Sequence, residues 1–145
     1  GIDPSAAFVV VYQAQHLTLQ PACGGEPRYV DLDEPRAGAT PTKSEIYYYT
    51  NCSSLTADLR FAARPLPVAK VGSALASPGD CAEAIRTSPI DFPLAPSQGD
   101  HLCIVTDAAQ AQSEGISQKI VLLTIDSISK DGALSVSLTA WRVPA

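Results

Sequence analysis

Four cysteines set the tightest limit on what this chain can become. Cys23, Cys52, Cys81 and Cys103 have 28, 28 and 21 residues between successive members. Structural zinc sites usually take two ligands from one tight C-x2-4-C knuckle, and the sequence contains none. An even number of widely spaced cysteines instead fits two disulfides, each closing a loop that stabilises the fold by roughly 3 kcal/mol on a chain-entropy estimate. Such bonds persist outside a reducing cytosol. Three pairings are open at this point. The competing reading is a cytosolic protein with four buried free thiols.

A chain of 145 residues is the size of one domain. With 46% apolar and 17% charged residues it has material for a core and is not a mostly disordered chain. The net charge of -5 and pI near 4.8 argue against nucleic acid. The ten basic residues are scattered, which also disfavours an anionic membrane surface. No apolar run approaches the ~18 residues of a membrane span, and the longest, Ala6 to Tyr12, suits a strand. The chain has no Met, so a processed or truncated piece is expected, with any signal or anchor lying upstream. Gly1-Ile2-Asp3-Pro4 reads as a cloning remnant outside the fold, leaving residues 5–145 as a single domain. Trp141 to Ala145 reads as a natural end, where the last strand finishes.

Strand patterns dominate. Phe8 to Tyr12 is a continuous β-branched and aromatic run, predicting a strand covered on both faces. His16 to Gln20 alternates, with Leu17 and Leu19 inward, until Pro21 and Gly24-Gly25 break it. Tyr29 to Asp33, Glu45 to Thr50, Ala57 to Ala63 and Val68 to Val71 are further strands, with a Gly/Pro loop over Ala37 to Thr42. One short helix is expected over Cys81 to Arg86, capped by Asp80, followed by an irregular Pro-rich stretch from Ser88 to Gln98. His101 to Thr106, Ile120 to Ile125 and Leu134 to Trp141 predict a three-strand meander, its last turn marked by Asp131-Gly132. This layout favours Cys81–Cys103, pinning helix and Pro-rich loop to the meander, and Cys23–Cys52, tying two strand-rich segments around a loop. The expected fold is mainly β: an antiparallel sandwich or partly open barrel with one short helix.

Chemistry-bearing motifs are sparse. G-x-S-x-G, P-loop, dinucleotide and H-E-x-x-H patterns are absent. Cys81 or Cys52 with His101 could be drawn as a thiolate and its base, but every cysteine already has a structural use. His16 sits at an outward position of its strand and reads as a solvated residue. Asp31, Asp33 and Glu34 form an acidic cluster whose first two members share a strand face. Such a cluster can hold a hard cation, or act as acid and base on a glycoside, but a solvated or hydrogen-bonding role fits it better. Asn51-Cys52-Ser53 matches a glycosylation sequon beside a bridge, an awkward place for a glycan. Tyr47, Tyr48 and Tyr49, with Tyr29 and Trp141, could supply an aromatic binding face or fill the core. Successive residues face opposite ways, so at least one tyrosine of the triplet turns away from the core. No catalytic residue, cofactor or metal is expected.

The order Tyr29-Val30-Asp31-Leu32-Asp33, Ala57-Asp58-Leu59-Arg60-Phe61, Cys81, Gly99 to Thr106 and a closing strand with Trp141 resembles a domain of unknown function. That domain occurs in secreted or membrane-anchored actinobacterial proteins, and the likeness covers roughly residues 15–142. It implies an extracytoplasmic, cell-envelope location and a binding or sensing role toward a protein or envelope ligand, and it brings no catalytic residues. This chain departs from the pattern at Asp107 to Lys119, where a short T-x-x-G-R turn is typical. The longer polar loop makes Gln110, Gln112 and Gln118, with Tyr47 and Tyr49, the expected ligand or partner surface. A cell-wall-acting hydrolase and a structural spacer are the alternatives.

Overall fold

The computed structural model describes residues 1–23, 27–54 and 56–145. Ten strands run β1 (Val9–Leu19), β2 (Arg28–Asp31), β3 (Arg36–Ala37), β4 (Ile46–Asn51), β5 (Thr56–Phe61), β6 (Val68–Val71), β7 (Pro89–Ile90), β8 (His101–Val105), β9 (Lys119–Ile128) and β10 (Leu134–Arg142). Two helices, α1 (Pro78–Thr87) and α2 (Ala108–Glu114), interrupt them. The strands form a six-stranded sheet, β1-β10-β9-β8-β6-β7, and a four-stranded sheet, β3-β2-β4-β5, with antiparallel pairing throughout. Neither sheet closes into a barrel.

The main core lies between the sheets. Leu102, Ile104, Val121, Leu123, Leu134 and Leu138 of the large sheet meet Val30, Ile46, Tyr48 and Leu59 of the small one. The large sheet also buries its other face. Cys103, Val105, Ile120, Leu122 and Trp141 point away from the first core and pack with Cys81 and Ala82 of α1. Burial on two sides explains why β8 and β9 read as continuous apolar runs while β4 and β10 alternate. The predicted meander is β8-β9-β10, closed by a turn with Gly132 at φ 92°.

Both favoured disulfides form. Cys23–Cys52 and Cys81–Cys103 have Cα separations of 5.4 and 5.5 Å, within the usual span, and no cysteine is free. The first ties the stretch after β1 to the end of β4. The second fixes α1 on the large sheet. Helix α1 begins one turn earlier than predicted: Ser77 is the N-cap and Asp80 completes a capping box, each side chain bonding the other's backbone N–H.

Several expectations need correction. Phe8 to Tyr12 does not form a doubly covered strand; it enters β1, an edge strand, with Val9, Val10 and Val11 at 49, 52 and 44% exposure. It also joins His16 to Leu19 in one strand, bent by register shifts between Val10 and Tyr12 and between Tyr12 and Gln15. The polar loop Asp107 to Lys119 contains α2, capped by Asp107 and closed by Gly115 at φ 70°. Alternating Ala and Gln hid it from an amphipathic pattern. The Ala37 to Thr42 loop overlaps β3 at one end and a 3-10 turn, Pro41–Lys43, at the other, while the Ser88 to Gln98 stretch contains β7. Ile2 packs beside the α1 core, and the Pro4 carbonyl lies where only Gly79 leaves room: a Cβ there would sit 2.5 Å from it. The Gly24-Gly25 break lies outside the described residues.

Candidate functional site

The outer face of the small sheet carries aromatic and ionic side chains. In β4, Ile46, Tyr48 and Thr50 are buried while Tyr47 and Tyr49 turn outward, half-buried. Tyr48 spends its hydroxyl inside, donating to the Gly132 carbonyl at 2.8 Å and so tying β4 to the β9–β10 turn. Outside, strand register places Tyr29, Tyr47 and Arg60 in one cross-strand row and sets Tyr49 opposite Asp58. The Tyr29 and Tyr47 rings lie 5.1 Å apart, tilted by 40°. The Arg60 guanidinium sits 4.1 Å over the Tyr49 ring, held there by bonds to both Asp58 oxygens at 2.6 and 3.3 Å. This network fixes long side chains on the open face of the sheet. Tyr49 also borders an open cleft of about 520 Å³ beside the Cys23–Cys52 bridge, shared with Pro27, Thr50 and Ser53. Asn51, the sequon residue, uses its side-chain oxygen to accept from Ser53 and Ser54 N–H at 3.1 and 3.3 Å, capping the turn after β4.

The predicted glutamines do not join this face. Gln110 and Gln112 lie on α2, beyond the opposite end of β4. Gln110 is half-buried, donating to the Thr42 carbonyl at 3.4 Å, and Gln112 is exposed. Gln118 donates to the Thr106 carbonyl at 3.1 Å, spanning the base of the α2 excursion. Two of the three are thus engaged in holding α2 and its flanks.

The acidic cluster gains two residues from the fold. Carboxylate oxygens of Asp31, Asp33 and Glu45 all lie within 4.8 Å of one another. The Lys119 ammonium reaches Asp33 at 2.8 Å and the Ser117 carbonyl at 3.0 Å, with 7% of its side chain exposed. Asp31 accepts from Asp33 and Glu34 N–H, at 2.9 and 3.3 Å, shaping the turn after β2. Burial pushes the Asp31 carboxyl up, and those two bonds pull it back down. Glu45 accepts from Leu32 N–H, and Tyr12 donates to the Leu32 carbonyl at 2.6 Å. Burial, followed by the charges of Asp33 and Asp31, pushes Glu45 up to about 8 despite the Leu32 bond. The fold therefore favours its protonated form, beside the Asp33 carboxylate. Lys119 supplies the positive charge that a cation would otherwise bring, so the cluster is a clasp between the sheets. Its outer rim, with Val11, Glu34 and Ile116, opens into a cleft of about 470 Å³.

A third constellation went unnoticed in the sequence. Both histidines fall on one row across the large sheet's outer face: His16, Ser137, Thr124 and His101 pair in register through β1, β10, β9 and β8. His16 Nδ1 lies 2.9 Å from the Ser137 hydroxyl and His101 Nδ1 lies 3.0 Å from the Thr124 hydroxyl. Ser137 also bonds Asp126, completing a serine, histidine and aspartate. It is no nucleophilic triad, because serine sits between the other two and gives its proton to the carboxylate rather than to the imidazole. The two histidines could be placed together only from strand register, which a single sequence does not display. Ser127-Ile128-Ser129-Lys130 also has S-x-x-K spacing. It lies where β9 enters a turn, not on a helix whose i and i+3 side chains would meet.

With all four cysteines paired, no thiolate remains for the cysteine–histidine reading. No helix among the described residues is long and apolar enough to cross a membrane. No family model matches the chain, and no curated protein or solved structure does either.

Proposed function

We propose that this chain is a non-enzymatic, extracytoplasmic binding module of the cell envelope that meets its ligand or partner on the outer face of the small sheet. One observation carries the reading: Tyr29, Tyr47 and Tyr49 stand half-exposed on a sheet stapled by Cys23–Cys52, with Arg60 already locked over Tyr49 by Asp58. Tyrosines give large contact area at small entropic cost, and a fixed arginine loses little freedom on binding. The paired bridges support an oxidising location. The resemblance to actinobacterial envelope domains points the same way. The buried clasp argues against the hydrolase alternative, since Asp31, Asp33 and Glu45 are each already committed to donors within the fold.

The test is an NMR titration of the isotope-labelled domain with solubilised cell-wall glycan and, separately, with wall-attached protein. Shifts should concentrate on Tyr29, Tyr47, Tyr49 and Arg60 and vanish in the Tyr47→Ser/Tyr49→Ser variant. Turnover of either material, abolished by a single substitution at Glu45 or Asp33, would overturn the reading in favour of an enzyme.

A further inference from the structure

The cleft at the rim of the clasp holds a charge pair that the fold brings together and leaves unmade. Strand register sets Asp31 directly opposite Arg36 across β2 and β3. Opposed residues of an antiparallel pair share a face, with Cβ atoms about 5 Å apart, and opposite charges so placed normally interact. Here both side chains line the cleft of about 470 Å³, and no ion pair joins them. Asp31 is only 5% exposed. Its Oδ1 accepts from the Asp33 and Glu34 N–H groups, while its Oδ2 has no hydrogen-bond partner among the described residues.

The neighbouring cations are engaged elsewhere. Lys119 is held by Asp33 at 2.8 Å, and Lys43 by Glu114 at 3.5 Å. Glu34 stands exposed at the mouth, where water serves it. Arg36 is exposed too and has no ion pair among the described residues. A recessed carboxylate oxygen and an unpaired guanidinium therefore border one cleft, each lacking a counter-charge. Val11 and Ile116, large apolar side chains 44 and 40% exposed, stand on the same walls.

We infer that this cleft binds a small zwitterion with an apolar side chain, a free α-amino acid such as leucine. Its ammonium meets Asp31 Oδ2, its carboxylate meets Arg36, and its side chain lies against Val11 and Ile116. Lys119 cannot serve Asp31 without leaving Asp33, so the ammonium brings the missing positive charge. A metal cation would answer Asp31 and repel Arg36, and an inorganic anion would do the reverse. A zwitterion answers both with no change of net charge. The cleft volume is within the range usual for small-molecule sites. The site shares no residue with the tyrosine face and is independent of the binding proposed there.

Isothermal titration calorimetry of the intact domain with L-leucine, up to about 10 mM, tests this. Saturable binding is expected. N-acetyl-leucine lacks the ammonium and isoamylamine lacks the carboxylate, and each should bind about tenfold more weakly or worse. Glycine should also bind more weakly, having nothing to set against Val11 and Ile116. Arg36→Gln, at an exposed edge position, should lose about tenfold or more in leucine affinity with an unchanged melting curve. Asp31→Asn, which keeps an oxygen for the two backbone N–H groups, should lose as much. Tyr47→Ser/Tyr49→Ser should bind leucine as wild type does. The inference is overturned by the absence of saturable heat, by glycine or either half-molecule matching leucine, or by an Arg36→Gln variant that binds leucine unchanged. Loss of leucine binding in Tyr47→Ser/Tyr49→Ser overturns it as well, since the ligand would then sit on the tyrosine face.

Discussion

The two sheets use their outer faces in opposite ways. The large sheet is covered by α1 over Cys103, Ile120, Leu122 and Trp141, and the second disulfide locks that cover in place. The small sheet leaves Tyr29, Tyr47, Tyr49 and Arg60 at the surface, and its disulfide fixes a strand end rather than a covering layer. One sheet is a doubly buried foundation; the other is a platform held in shape by it. Substitutions on the large sheet's covered face should therefore cost stability, and those on the small sheet's open face should cost binding.

The largest effect is expected where the sheets are clasped. Lys119→Met leaves Asp33 and its neighbours buried without their cation and should cost about 3–5 kcal/mol in urea unfolding. A loss under a third of that would mean the clasp is wetter than its burial implies. Next, Leu122→Ala beneath α1 should cost about 3 kcal/mol. The Cys81→Ala/Cys103→Ala pair should cost about 2–3 kcal/mol, with α1 amides losing exchange protection before those of β9. An unchanged α1 would show that the helix holds its place by packing alone.

A smaller effect carries a sign. The folded-state value of Glu45 lies above its free value of 4.5, so folding favours the protonated acid. Its contribution is fully present below pH 4.5, declines as pH rises toward about 8, and is lost above that. Glu45→Gln keeps an acceptor for Leu32 N–H and cannot ionise. It should flatten that decline and gain on the order of 1–2 kcal/mol near pH 8. Parallel stability–pH profiles for variant and wild type would refute this. The smallest effect is on the open face, where Tyr47→Ser/Tyr49→Ser should cost under about 1 kcal/mol of stability. A cost matching that of Leu122→Ala would erase the distinction between foundation and platform.

The sequence made the strands and bridges legible because each rests on a local signal. Alternation separated Tyr48 from Tyr47 and Tyr49, and Asp131-Gly132 marked the last turn. The Phe8 to Tyr12 run misled because an apolar run reports hydrophobicity, not position within a sheet. An edge with three valines and a central strand look alike when neighbours are unknown. The candidate surfaces were half visible: Tyr47 and Tyr49 followed from alternation, but Arg60 and Asp58 joined them only through cross-strand register. Likewise Asp31 and Asp33 stood out, whereas Glu45, just before β4, and Lys119, at the start of β9, join them only through the fold. The glutamines were grouped by composition, and the fold gives two of them structural partners.

The bridges are arranged side by side along the chain, not nested. One ring spans residues 23–52 and the other 81–103, so a backbone nick inside either leaves its fragments covalently joined. The intervening stretch, 53–80, belongs to neither ring. A protease cutting there would release two separable pieces, each keeping its own cross-link and each holding part of the core. Residues 104–118 ahead of β9 likewise lie in neither ring, so outside the two rings only packing and hydrogen bonds keep a cut chain together.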